Sequence, residues 1–95
     1  MRLTLFKKGD FNEVKEKVLK HSNGDVVLRY NSYATKGLVV ITPYCVYQFV
    51  QDGDEIYINI YATKKMLFDA LRQLYEIYEI NIYDYEVQNI RGEVL

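Results

Sequence analysis

The sequence predicts an α+β fold, a two-layer sandwich in which two helices cover one face of a mostly antiparallel sheet of five to six strands. Three observations support this fold. Residues 10–21 and 63–78 carry apolar side chains at helical spacing. In most other segments, apolar and polar residues alternate with a period of two. Asp52-Gly53 is a strong hairpin signal. The predicted order is β-α-β-β-β-α-β within a single domain, residues 1–95.

The first strand and the first helix follow one another directly. Residues 2–7 alternate as a short strand, and Asp10 is a good N-cap with Glu13 at the third helical position of a capping box. Apolar residues occupy one side of this helix, and lysine and glutamate occupy the other. Residues 22–24 should end it, because asparagine and glycine suit the left-handed conformation found after helices.

A strand over residues 25–31 and a β-rich segment over residues 37–51 come next. Pro43 interrupts the second segment, and because proline lacks an N–H it marks a bend, a bulge or an edge. The segment is therefore either one bent strand or two strands. If its alternation continues unchanged through the proline, one face carries Leu38, Val40, Tyr44, Val46 and Val50.

The hairpin at Asp52-Gly53 allows its two faces to be assigned. With Gln51 opposite Asp54, one face is almost wholly apolar and should pack under the helices. That face carries Cys45, Tyr47, Phe49, Ile56, Ile58 and Ile60. The other face carries the pairs Tyr44 with Tyr61, Val46 with Asn59, Gln48 with Tyr57, and Val50 with Glu55.

Thr63 is the expected N-cap of the second helix. The apolar arc of this helix spans roughly 200° at about 100° per residue, which is broader than one sheet contact requires. After residues 80–81 the spacing of the apolar residues changes from helical to a period of two, which predicts a final strand over residues 83–88. Residues 89–95 are expected to be a frayed tail.

Composition argues for a small binding protein. A chain of 95 residues has little room for a deep catalytic cavity, and ten tyrosines are more ring surface than its core can hide. The net charge is −1, yet residues 1–36 sum to +4 and residues 69–95 to −4. No membrane span or signal peptide is recognisable, which favours a cytoplasmic protein without membrane association.

Candidate catalytic and metal-binding residues are few. Cys45 is the only cysteine and falls on the apolar face, and His21 is the only histidine and sits where a helix dipole favours it. Asp52, Asp54 and Glu55 lack the spacing of a calcium loop and suit a solvated hairpin tip. The sequence therefore predicts no enzyme, no catalytic residue, no cofactor and no metal.

A short repetition suggests an anion-binding alternative. The four residues 33–36 recur as residues 61–64, and the second copy leads into a helix. Thr63, Lys64 and Lys65 could bind an anion there together with free backbone N–H groups, although a plain N-cap beside solvated lysines explains them as well.

The leading functional hypothesis rests on the second hairpin face, which is too apolar for an ordinary solvated surface. It predicts a protein interface comprising Tyr44, Val46, Gln48, Val50, Tyr57, Asn59 and Tyr61. The expected partners are a second copy of the chain and a target protein, such as a host protein inhibited by a phage or mobile-element product. The alternative is nucleotide or single-stranded nucleic-acid binding by tyrosines. Lys36-Gly37 begins like an RNA-recognition signature but continues with aliphatic residues, where that signature has aromatic ones.

Overall fold

The structure is a computed structural model that describes residues 1–22, 25–31 and 36–88. Its strands are β1 (Arg2–Lys8), β2 (Val26–Asn31), β3 (Lys36–Ile41), β4 (Val46–Asp52), β5 (Glu55–Tyr61) and β6 (Glu86–Gln88). Its helices are α1 (Phe11–His21), α2 (Leu67–Glu76) and a 3-10 turn, Ile82–Asp84. The predicted tail, residues 89–95, lies outside the described residues.

The six strands form one antiparallel sheet in the order β2-β3-β4-β5-β1-β6. The predicted α+β fold is thus confirmed, with six strands because Pro43 separates β3 from β4. The strand β1 lies between β5 and β6, whereas β2 and β6 form the two edges.

Both helices pack on one face of the sheet. The predicted apolar face is confirmed as core, since Cys45, Tyr47, Phe49, Ile56, Ile58 and Ile60 are all buried. From the helices, the same core contains Phe11, Val14, Val18, Ala70 and Leu74. The Tyr47 hydroxyl donates a hydrogen bond to the Ala70 carbonyl at 2.7 Å and so ties β4 to α2.

The register of the β4–β5 hairpin differs from the predicted one by two residues. Asp52 faces Glu55, so the turn consists of Gly53 and Asp54. Gly53 has a φ of 62°, which suits the first position of a type II′ turn, where glycine is favoured. Because side chains alternate with period two, a shift of two residues leaves every side chain on its predicted face.

The alternation does not continue through Pro43, so of the two alternatives the segment is two strands and not one bent strand. The Thr42 hydroxyl accepts hydrogen bonds from the N–H groups of Tyr44 and Cys45, and the Thr42 N–H donates to the Cys45 carbonyl. These bonds hold a tight turn that reverses the chain.

The reversal places Leu38 and Val40 on the face opposite to the one that unbroken alternation would give. Leu38 pairs with Phe49 and Val40 pairs with Tyr47, and all four side chains are buried under the helices. The other face of β3 instead carries Gly37, Val39 and Ile41.

The helix boundaries confirm one predicted cap and correct another. Asp10 caps α1, with its carboxylate accepting from the Asn12 N–H at 2.9 Å. The N-cap of α2 is Met66 rather than Thr63. The Thr63 hydroxyl accepts from the Met66 N–H at 3.3 Å in the turn before the helix.

The final strand is shorter than predicted. The Asn81 side chain accepts a hydrogen bond from the Tyr83 N–H at 3.2 Å and caps the 3-10 turn. Only Glu86–Gln88 pairs with β1. Within the described residues, no helix is long and apolar enough to cross a membrane.

Candidate functional site: the open sheet face

The face of the sheet opposite the helices, here called the open face, consists of side chains arranged in rows across the strands. The first row runs through Val26, Ile41, Val46, Tyr61 and Arg2. Val26 is 55% exposed and Ile41 is 42% exposed, although both are aliphatic. The neighbouring Leu28, on edge strand β2, is 54% exposed. A solvated sheet face would carry polar side chains at these positions.

The second row is apolar at β2 and β3 and polar at β4, β5 and β1. It runs through Leu28, Val39, Gln48, Asn59 and Thr4. Its polar side chains bond to one another. The Thr4 hydroxyl donates to Asn59 Oδ1 at 2.7 Å, and Asn59 Nδ2 donates to Gln48 Oε1 at 3.1 Å.

This series of side-chain hydrogen bonds continues to the edge of the sheet. Gln48 Nε2 donates to the Tyr30 hydroxyl at 3.3 Å, and the Tyr61 hydroxyl donates to Gln48 Oε1 at 3.5 Å. Four strands are thereby connected by side-chain hydrogen bonds. The side-chain amides of Gln48 and Asn59 are therefore already bonded within the protein.

The third row holds aromatic rings against the sheet. Tyr30 covers Gly37 so closely that a Cβ on this glycine would lie 2.2 Å from Tyr30 Cζ. Farther along the row, the rings of Phe6 and Tyr57 stack with centroids 5.8 Å apart. The Tyr57 hydroxyl donates to a Glu55 carboxylate oxygen at 3.0 Å, and this hydrogen bond raises the pKa of Tyr57.

The structure brings six of the seven predicted interface residues together on the open face. They are Val46, Gln48, Val50, Tyr57, Asn59 and Tyr61. Tyr44 is exposed in the turn between β3 and β4, beside Val46 and Tyr61 in a shallow depression of about 580 Å³. Tyr61 pairs with Val46 and not with Tyr44, in keeping with the shifted register.

Sequence reasoning missed the aliphatic part of this face. Val26, Leu28, Val39 and Ile41 lie there, whereas unbroken alternation through Pro43 would have placed Leu38 and Val40 there. The signal that could have found them is Thr42, whose side chain favours a tight turn and therefore a reversal at Pro43.

Of the alternative anion-binding residues, Thr63 lines the depression beside Tyr44 and Tyr61. Lys64 and Lys65 are exposed in the turn that precedes α2, and not in its first helical turn. The Met66 N–H is already bonded to Thr63, so this donor is not free for an anion.

Cys45 and His21, the residues considered as catalytic candidates, each lie beside a polar side chain. Cys45 is buried with its sulfur 3.4 Å from the Thr42 hydroxyl, and His21 Nε2 lies 3.6 Å from a Glu79 carboxylate oxygen. At the hairpin tip, Asp54 is within 3.9 Å of Lys8, an exposed pair. Among the described residues, no group of three or more histidine, cysteine, aspartate or glutamate side chains could hold a metal ion.

Comparison with models of protein families, with curated proteins and with solved structures found no match for this chain.

Proposed function

We propose that this chain is a small, non-enzymatic, cytoplasmic protein-binding module whose open face docks onto the open face of a second copy. The observation that carries the proposal is the contrast within that face. Val26, Leu28 and Ile41 on that face are exposed, while its central polar side chains are bonded to one another.

The exposed apolar side chains of the open face supply the favourable free energy of association. Removing apolar surface from water contributes about 25 cal/mol per Å², and Val26, Leu28 and Ile41 are each more than two-fifths exposed. Tyr44 and Tyr61 add amphipathic rings, a residue type enriched at protein interfaces.

The polar row removes the main cost of burying such a face. A polar group that loses water without gaining a partner costs about 1–3 kcal/mol. Because Thr4, Asn59 and Gln48 already bond to one another, a second protein can cover them with a small penalty.

The size of the face suits a specific dimer. Strands of up to seven residues rise about 3.3 Å per residue and lie about 4.8 Å apart, so six strands present a projected area of about 500 Å². Two such faces bury about 1,000 Å² in total, the lower limit for a specific interface.

Sedimentation velocity over a concentration series tests the proposal. We expect a monomer–dimer equilibrium for the wild-type protein and a monomer for Val46→Glu, since an unpaired carboxylate in the interface costs several kcal/mol, a loss of at least about a hundredfold in affinity. Phe68→Glu is the matched control, because Phe68 is 73% exposed on α2, on the other layer.

The outcomes distinguish the open face from the sheet edge. Dissociation by Leu28→Glu without any effect of Val46→Glu would place the contact at edge strand β2 and contradict the proposal. A wild-type monomer at every concentration would also contradict it. Circular dichroism of each variant checks that the fold is retained.

A further inference from the structure

A second surface, away from the open face, gathers positive charge around a cavity. The cavity has a volume of about 260 Å³ and lies between the first turns of α1 and the end of the β2–β3 hairpin. Its lining includes Lys15 from α1, Arg29 from β2 and Lys36 from β3, with no carboxylate among the described residues that line it. We call it the basic cleft.

The three cations are not neutralised within the described part of the protein. The ion pairs found there within 4.0 Å use Lys8, His21 and Arg72 instead. Like charges that face one cavity repel each other, and a bound anion relieves that repulsion. Three consecutive elements, α1, β2 and β3, therefore create a local positive field.

The position of Arg29 is unusual for a residue of this sheet. It pairs with Leu38 on the side of the sheet that faces the helices, where the other strands carry core residues. At the edge, its guanidinium remains exposed and reaches the cleft. A charge at an edge also discourages strand addition, but that role does not require Lys15 and Lys36 nearby.

Hydrogen-bond donors in the cleft come from side chains. The first backbone amides of α1 are already engaged, Phe11 N–H with Gln51 Oε1 and Asn12 N–H with Asp10. Asn12 and Tyr30 also line the cavity.

We infer that the basic cleft binds a small phosphorylated molecule, a phosphate monoester or a diphosphate. Lysine and arginine are the side chains that bind phosphate most strongly, and a polyvalent anion matches three cations better than a carboxylate does. The cavity is slightly smaller than the range of about 300–1,000 Å³ typical of ligand pockets, which favours a compact ligand. Phe11 and Leu38 form its apolar floor.

Titration of the protein with inorganic pyrophosphate, followed by ¹H–¹⁵N NMR at low salt, tests this inference. We expect saturable shifts at the amides of Asn12, Lys15, Arg29 and Lys36. Lys15→Gln, Arg29→Gln and Lys36→Gln should each weaken binding about tenfold, because each removes one charge-assisted contact. They should keep the fold, since none of these side chains is buried.

Lys64→Gln and Lys65→Gln are the matched controls, because they remove equal charge from the turn before α2. Equal weakening by the controls, or absence of saturable binding at low salt, would overturn the inference.

A single-stranded oligothymidylate provides the second arm of the test. If it binds more tightly than pyrophosphate and shifts the amides of Tyr44 and Tyr61 as well, the ligand is a nucleic-acid strand and the assignment of a small molecule is wrong. If it competes weakly and only at the cleft, the assignment is supported. Thermal unfolding gives an independent readout, since a ligand that binds only the folded state raises Tm. Pyrophosphate should therefore raise the Tm of the wild-type protein but not that of the three cleft variants.

Discussion

Glu79, which follows α2, has an unusual backbone conformation. Its φ is 57°, in the left-handed region that side chains other than glycine rarely adopt. The conformation allows the Ile80 N–H to donate to the Leu74 carbonyl at 2.9 Å. In addition, Lys17 Nζ donates to the Glu79 carbonyl at 3.0 Å, which connects this turn to α1. The neighbouring contacts thus hold a backbone conformation that is unfavourable by itself.

Replacing Glu79 with glycine should therefore stabilise the protein relative to alanine. We expect Glu79→Gly to unfold at higher urea concentration than Glu79→Ala, with a difference of about 1 kcal/mol in the free energy of unfolding, because a Cβ is costly in the left-handed region. Both variants lose the contact with His21, so their difference isolates the backbone. Equal stability of the two variants would contradict this explanation.

The hairpins show which properties of an element can be predicted from sequence. The faces of β4 and β5 were predicted correctly although the register was wrong by two residues, since apolar alternation encodes the face and only the turn encodes the register. Asp52-Gly53 and Gly53-Asp54 are both acceptable turn pairs, so the sequence alone did not decide between them.

The remaining errors have the same origin. Proline shows that a strand is disturbed, but the reversal at Pro43 depends on hydrogen bonds to Thr42. Likewise, Thr63 does bond to a backbone N–H, yet the helix starts one turn later at Leu67. The polar row and the basic cleft could not be predicted, because both join side chains from elements whose relative positions the sequence does not give.

Gly53→Ala tests the conformation of the β4–β5 turn. Among the described residues other than its two chain neighbours, none has an atom within 4 Å of the added Cβ, so the expected cost comes from the backbone conformation. We expect a loss of about 1 kcal/mol in the free energy of unfolding, and a smaller loss for Gly53→Asn, which tolerates the left-handed region better. Urea unfolding of both variants measures the difference, and equal losses would argue against a left-handed residue at this position.

Buried tyrosines connect the two layers of the whole molecule. Tyr47 bonds to α2, and the Tyr78 hydroxyl donates to an Asp25 carboxylate oxygen at 2.6 Å. Burial raises the pKa of both hydroxyls, and burial also raises the pKa of Tyr85 to about 12. Ionisation of these rings is thus more difficult in the folded protein than in the unfolded chain.

This difference predicts unfolding at alkaline pH. The raised pKa values mean that the folded protein retains protons that the unfolded chain loses, so the stabilisation is complete below about pH 10 and falls as the pH rises from about 10 towards 12. Each buried tyrosine should contribute a loss of about 1.4 kcal/mol per pH unit in that window.

Urea unfolding at a series of pH values measures the slope. Tyr47→Phe should reduce the slope by about one third, if three rings contribute equally. It should also lower stability near neutral pH by about 1 kcal/mol, because the Ala70 carbonyl loses a donor. Tyr75→Phe, at an exposed ring on α2, is the control, and an effect on the slope as large as that of Tyr47→Phe would contradict the prediction.

The place of β1 in the sheet order has a consequence for how the chain reaches its native state. Leu5 pairs with Ile58 and with Val87, about 50 and about 80 residues later, and such distant pairings slow folding through the entropy of closing long loops. During translation, β1 is synthesised before either of its neighbouring strands. The β2–β5 meander can assemble on a growing polypeptide, whereas the sheet closes only after synthesis has passed residue 88.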